Sequence, residues 1–408
     1  MAMGGSFQSE TPAGRGSALE VLGVFLRLGV TSFGGPVAHL GYFHAEFVRR
    51  RRWLAEHDYA DLVALCQFLP GPASSQFGIA VGLGRAGWLG ALAAWVGFTL
   101  PSALLLIAFA LGVGAIAGPA AVGAIHGLKV VAVAVVAQAV WGMAKSLCAD
   151  RPRAGIALAA AVLAVLLPGA GGQLGAIALG GLVARRALQV APLPAERHLD
   201  YGVSRRQGAV LLALCGGLLV ALPALATLTG AVGLAMVAVF FKAGALVFGG
   251  GHVMLPLLQA GVVPPGWVSN DVFLAGYGAA QAVPGPLFTF AAYLGAAMGP
   301  PLGGWAGGLV LLLAIFVPAF LLIVGALPFW EALRHREGIR RALAGVNAVV
   351  VGILGAALYD PVWTGAIHSR ADFCLALAAY GLLVVGRVPP VAVVAFCAVV
   401  GCLSGLAR

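Results

Sequence analysis

The sequence predicts an all-α polytopic membrane protein made of two homologous halves in inverted topology, and three observations carry that reading. Apolar residues fill 61% of the 408 positions and charged ones only 9%, a balance that excludes a water-soluble globular domain. Long apolar runs with short polar spacers cover nearly everything after residue 18, enough for roughly a dozen segments at about 20 residues per crossing. The opening stretch then recurs in the second half. Aligned without a gap, Arg27 falls on Lys242, Gly29 on Gly244, Phe33 on Phe248, and Gly34-Gly35 on Gly249-Gly250.

Taken in order, residues 1–18 read as a flexible N-terminus, without the basic region and cleavage site of a signal peptide. Residues 19–48 are apolar but interrupted at Gly34-Gly35-Pro36, and end in the arginines at 49–52. Residues 53–84 follow, broken at Pro70-Gly71-Pro72. Each half-segment is about 13 to 16 residues, roughly 20 Å of helix, short for a full crossing. Re-entrant helical hairpins are therefore the preferred reading, with broken but spanning helices as the alternative. Longer segments run over 88–116, with Pro101 inside, and over 120–144; shorter ones occupy 155–167 and 173–187. Residues 192–207 are polar, and one further apolar segment, 209–226, precedes the second copy.

The second copy extends well past its opening. Trp53 aligns with Trp267, Gln67 with Gln281, Pro70-Gly71-Pro72 with Pro284-Gly285-Pro286, and, more roughly, Pro101 with Pro318 and Gly127 with Gly345. The chain divides into a flexible start (1–18), an N-terminal membrane repeat (19–190), a cytoplasmic linker with a connecting transmembrane helix (191–229) and a C-terminal repeat (230–408). One odd crossing between the copies turns the second upside down, the arrangement that places a binding site at a repeat interface near the midplane. With re-entrant hairpins, the basic groups at 49–52, Arg85, 145–153, 185–206, 334–341 and Arg387 share the cytoplasmic side; with four spanning segments the run 49–52 moves outside, against the positive-inside rule.

Backbone groups freed by a break inside a membrane need protein or a water-filled cavity, so matched glycine and proline breaks point to a polar site. A helix that restarts after a break offers unpaired N–H groups and a partial positive charge, which suits an anion. The backbone of Gly34, Gly35, Gly71, Gly249, Gly250 and Gly285 is the candidate cradle. Thr31 and Ser32 add hydroxyls before the first break, and Gln67 and Gln281 add an amide just before each Pro-Gly-Pro. Arg27 and Lys242 are cations inside apolar segments, at matched positions, as a charge-compensating pair requires; snorkelling to the interface is the bland alternative. Lys129, replaced by Asn347 in the other half, makes these two secondary candidates. His39 and His252 follow glycine breaks at non-equivalent positions and read first as packing histidines, with anion contact or proton handling second.

Several classes are set aside. The net charge of +10 comes from arginines in short loops, so it marks membrane orientation and not a nucleic-acid partner. The six cysteines are scattered without CxxC spacing, and no metal-ligand spacing such as HExxH occurs. Residues 82–87 match GxGxxG but follow no strand, and no nucleophile, base and orienting group appear together, so neither a cofactor nor an enzymatic activity is expected. Most carboxylates sit at segment ends, Glu56, Asp58 and Asp271 among them with Asn270, as capping groups; Glu20 is a weak candidate for more.

The motif Phe33-Gly34-Gly35-Pro36-Val37-Ala38-His39 followed by Gln67 to Pro72, and their partners Phe248 to Gly251 and Gln281 to Pro286, resemble the chromate ion transporter family in its long two-domain form. The resemblance covers nearly the whole chain. It implies a multi-pass bacterial inner-membrane protein that exports chromate, with sulfate as a close analogue, and confers chromate resistance. The reading that joins both lines is a secondary transporter with a dianion near the midplane between the halves and the bilayer as its solvent. An anion channel, or a carrier for another oxyanion, is the alternative, and a homodimer is left open beside a monomer. The second half departs from the first where Pro36 becomes Gly251 and His39 becomes Met254.

Overall fold

The computed structural model describes residues 16–113, 118–167, 169–190, 201–248 and 250–406, so most of the N-terminal stretch and of the polar linker lie outside the described residues. Every regular element among them is helical.

Helix α1 (Ala18–Thr31) is capped by Ser17, whose side chain accepts from the Glu20 N–H. It stops at the first glycine break. Helix α2 (Gly35–Phe43) restarts after Gly34, which sits in the left-handed region (φ 96°), and runs on through a π-helical turn, His44–Arg50. The chain returns beside its own start. The Phe25 ring packs on Phe43 and Phe47, and Glu20 lies 3.8 Å from Arg51. A second hairpin joins α3 (Glu56–Phe68) to the first arm of α4 (Ala73–Val113) through Pro70-Gly71-Pro72, with the Tyr59 and Phe77 rings 5.2 Å apart across it. The Gly16 N–H reaches the Arg85 carbonyl at 2.9 Å, so both hairpins begin and end at one level. Both pairs of arms in the first repeat therefore fold back as helical hairpins.

Helix α4 is itself two helices. Ala86 and Gly87 leave helical geometry, and a Cβ on Gly82 would fall 2.3 Å from the Gly90 carbonyl oxygen. Eight residues apart in a continuous helix those groups would be about 12 Å away. The arms 73–85 and 88–113 are thus folded back on each other, with glycines as the contact. Helices α5 (Pro119–Leu147), α6 (Arg151–Leu166) and α7 (Ala170–Ala187) complete the first repeat. Helix α8 (Arg205–Thr229), opened by a Ser204/Gln207 capping box, leads to the second.

The second repeat rebuilds the plan. Helix α9 (Val232–Leu246) leads to the second glycine break, a 3-10 turn and α10 (Met254–Val262); α11 (Asn270–Ala280) leads to Pro284-Gly285-Pro286 and α12 (Phe290–Ala297). The Tyr293 hydroxyl donates to the Val272 carbonyl at 3.0 Å across that hairpin. Gly295 and Gly307 repeat the close approach of Gly82 and Gly90, bringing α12 onto α13 (Gly304–Ala326). Helices α14 (Trp330–Arg334), α15 (Glu337–Ala357), α16 (Thr364–Ala366), α17 (Arg370–Val384) and α18 (Pro390–Leu406) finish the chain.

The last helices of each repeat pack on the long helix of the other: α17 and α18 on α5, and α6 and α7 on α15. Small residues permit this. A Cβ on Gly127 would lie 2.1 Å from the Cys397 carbonyl oxygen, and one on Gly345 would lie 2.5 Å from that of Gly180. Gly127 and Gly345 are the pair that the repeat alignment matches. Five described helices are long and apolar enough to cross a membrane: Ala73–Gly112, Pro119–Leu147, Arg205–Thr229, Gly304–Arg334 and Glu337–Ala366. Among the dozen apolar segments read from the sequence, most others are hairpin arms or shorter helices such as Val232–Leu246 and Pro390–Leu406. The first of the five, moreover, is divided at Ala86 and Gly87.

Candidate functional site

The hairpin tips of the two repeats meet. The Gly285 N–H donates to the Ser32 carbonyl at 2.9 Å, and the Gly71 N–H donates to the Val247 carbonyl at 2.6 Å. Gly71 matches Gly285 and Ser32 matches Val247 in the repeat alignment, so each tip gives to the other what it receives. The two bonds are made at matched positions of the repeat. Gly71 (φ 116°) and Gly285 (φ 95°) occupy the left-handed region that lets the backbone turn here. The Gln76 side chain donates to the Pro70 carbonyl at 2.7 Å and satisfies one acceptor freed by the first Pro-Gly-Pro.

Three cavities open where the tips meet, and Gly34 and His252 border all of them. The smallest, about 60 Å³, is closed by Gly35, Gln138, Gln281 and Gly285. A second, about 360 Å³, reaches Arg387 and Pro390. The largest, about 650 Å³, takes in Gln67, Gly71, Gly250, Gly251 and Asn347, and follows α5 as far as Ser146 and Leu147. No Asp or Glu among the described residues lines any of the three.

The donors are of three kinds. Among the described residues, no acceptor meets the N–H of Gly34 or of Gly250. Amides come from Gln67, Gln138, Gln281 and Asn347, that of Gln281 beside the Tyr277 hydroxyl. His252 is held by the Tyr277 hydroxyl, 2.6 Å from Nδ1; when that hydroxyl donates, the ring proton sits on Nε2. Several convergent donors, with no carboxylate among the described residues on the walls, favour an oxyanion over a cation.

The remaining candidates fall elsewhere. Arg27 is exposed on the face of α1 that also shows Leu26 and Val30, and the Thr31 hydroxyl is spent on the Arg27 carbonyl at 2.8 Å. Lys242 is half-buried on α9. Neither cation lines the cavities, because the faces of α1 and α9 that pack inward carry Gly29 and Gly244, against α4 and α13. Ser32 reaches the site through its carbonyl; its hydroxyl is buried without a partner. His39 is buried against the Phe98 and Phe43 rings. Lys129 is buried and pairs with Asp271 at 2.8 Å, while its counterpart Asn347 faces the large cavity. Gly249 lies outside the described residues. Gln138, Tyr277 and, as a site residue, Arg387 are not among the candidates that the sequence supplies. A lone amide inside the apolar run 130–140 was a usable signal for the first.

The sequence profile of one family, the chromate transporters, matches residues 19–185 and again 234–402. The chain belongs to the chromate transporter family. Its two matched regions coincide with the two repeats of the fold. Among curated relatives, this transporter is 31% identical over 358 residues to the chromate transport protein of Pseudomonas aeruginosa, covering 82% of this chain and 79% of that one. It is 29% identical over 338 residues to the chromate transport protein of Cupriavidus metallidurans (82% and 80%), and 27% identical over 359 residues to a probable chromate transport protein of Synechococcus elongatus (87% and 87%). No solved structure matches this chromate transporter family member.

Proposed function

We propose that this protein is a secondary transporter that exports chromate, or a related tetrahedral dianion such as sulfate, across the bacterial inner membrane by alternating access, and thereby confers chromate resistance. The observation that carries the reading is the convergence of both glycine breaks on one set of cavities, with Gly34 from one repeat and His252 from the other on every wall. The oxyanion binds there to the N–H groups of Gly34 and Gly250, the amides of Gln67 and Gln281, and the His252 ring. The membrane potential alone favours export of a dianion by about 2.3 kcal/mol per charge per 100 mV.

In this reading the repeats are inverted. Hairpin arms of roughly 20 Å reach the midplane and turn there, which places the tips at the centre of a hydrocarbon core about 30 Å thick. The first repeat enters from the side that carries the arginines 49–52 and Arg85, the cytoplasmic side by the positive-inside rule. After the odd crossing by α8, the second enters from the opposite side. The large cavity leads along α5 to Ser146 and Leu147, beside Lys145, and therefore faces the cytoplasm. On the other side the matched position is filled by the Lys129–Asp271 pair. Rocking one repeat against the other exchanges the open and the filled side.

The test is uptake of radiolabelled chromate into proteoliposomes, with and without excess sulfate, for wild type and for Gln67→Leu and Gln281→Leu. Saturable, sulfate-sensitive uptake with counterflow, weakened in both variants, is the expected result. Non-saturating flux without counterflow would make the protein a channel. Saturable transport of sulfate but not chromate would move the substrate and leave the mechanism.

A further inference from the structure

We infer that Arg387 is the cation that receives the oxyanion in the side cavity next to the glycine breaks, a role that rests on the anion-transport reading above. Arg387 lines the 360 Å³ cavity together with Gly34, Gln138 and His252, which also border the smallest cavity, at the meeting of the tips. Among the described residues it is the one Arg or Lys on the walls of the three cavities.

Its depth follows from helix packing. On the antiparallel α5–α18 seam, Gly123 stands against Gly401 and Gly127 against Cys397, so the start of α18 at Pro390 comes level with Val135 and Gln138. Helix α5 continues beyond Gln138 to Leu147, about 13 Å further at 1.5 Å per residue. Arg387, itself exposed, is thus held short of the end of α5, beside the breaks and not out at the helix end. Among the described residues no carboxylate pairs with it, and none lines its cavity.

The backbone adds an independent sign. Arg387 is one of two described non-glycine residues with positive φ, at 51°. The turn around it is fixed, since the Gly386 N–H donates to the Gly381 carbonyl and the Val388 N–H to the Leu382 carbonyl, both at 2.9 Å. An arginine therefore stands where the backbone favours glycine, the kind of strain that gathers at ligand sites. The matching tip of the first repeat, between α6 and α7, carries exposed Leu166 and Leu167 instead. The cation has no twofold mate, so the two approaches to the breaks differ in charge. A guanidinium offers two parallel N–H groups to two oxygens of a tetrahedral dianion, a geometry that an ammonium cannot copy.

The experiment compares wild type with Arg387→Gly, Arg387→Gln and Arg387→Lys in proteoliposomes, measuring the half-saturation concentrations for chromate and sulfate at low and high salt, with thermal unfolding on the same preparations. Arg387→Gly suits the left-handed backbone and is expected to melt no lower than wild type. Its half-saturation should rise by about ten-fold or more, with a flatter salt dependence, while Arg387→Lys falls between. A well-folded Arg387→Gly with wild-type half-saturation and salt dependence overturns the assignment while leaving the transport reading intact. A wild type without saturable transport of either anion overturns both.

Discussion

Arg334 on α14 donates from Nη1 to Asp61 Oδ1 on α3 at 2.6 Å, an ion pair that ties the two repeats together with side chains only 2% and 5% exposed. The guanidinium carbon also lies 5.9 Å from the centroid of the Trp330 ring. Glu331 lies 3.8 Å from the same guanidinium, so breaking the pair from one side removes the main but not the sole compensation of a buried charge, at a cost of up to about 3–5 kcal/mol, whereas replacing both partners with apolar groups is far milder. Asp61→Leu and Arg334→Met are each expected to destabilise strongly, and the double variant less than either. Unfolding in detergent across this double-mutant cycle checks it, and additive losses would show that the pair is solvated.

The reciprocal bonds at the hairpin tips make a second prediction. Gly71 and Gly285 both need the left-handed region, and a Cβ on Gly71 would lie 2.9 Å from Gln76 Nε2, one on Gly285 3.0 Å from Ser102 Oγ. Alanine at either position should cost about 1–3 kcal/mol of stability and lower uptake. The two losses should be similar, because each tip makes the same bond to the other at matched positions. A large loss at one and none at the other would mean that only one break is structurally needed.

The turn that closes the first hairpin supplies a pH test. Burial pushes the Glu46 carboxyl upward, but the bonds from Arg51 at 2.7 Å and Arg50 at 3.1 Å outweigh it and hold the group below its ordinary value of 4.5. A carboxylate with a depressed folded value adds stability that is complete above its unfolded value and disappears as pH falls through the folded one. Wild type should therefore melt above Glu46→Gln at neutral pH, and the gap should close below about pH 4.5. A gap that persists at lower pH would assign the effect to packing.

Much of this was legible in the sequence because it is written in glycine and proline. The pairs Gly29/Gly244, Gly127/Gly345 and Gly71/Gly285 were matched by alignment alone, and each proves to be a close approach or a left-handed turn. The helical arms on either side of each break are as short as the sequence suggested. Side-chain direction was not legible: Arg27 and Thr31 lie one helical turn apart on a face that nothing in the local pattern distinguishes from the inward one. Asp61 was not singled out, since its partner Arg334 is distant in sequence. Arg387 was read as a loop cation because the packing of α18 on α5, which fixes its depth, is invisible locally.

That failure of direction decides the last prediction. Arg27 and Lys242 were the sharpest ionisable signals in the sequence, yet Arg27 is exposed beside Leu26 and Val30, which are 44% and 49% exposed, and neither cation lines a cavity. A cation at that position compensates no charge at the breaks in this conformation. Arg27→Gln and Lys242→Gln should therefore keep half-saturation for chromate within about three-fold of wild type, less than 1 kcal/mol, while His252→Phe should raise it by about ten-fold or more. Proteoliposome uptake on folded preparations measures all three. A ten-fold rise in a stable Arg27→Gln would mean that α1 turns its cation inward in the opposite-facing state, and that the pair matched by the repeat serves the dianion after all.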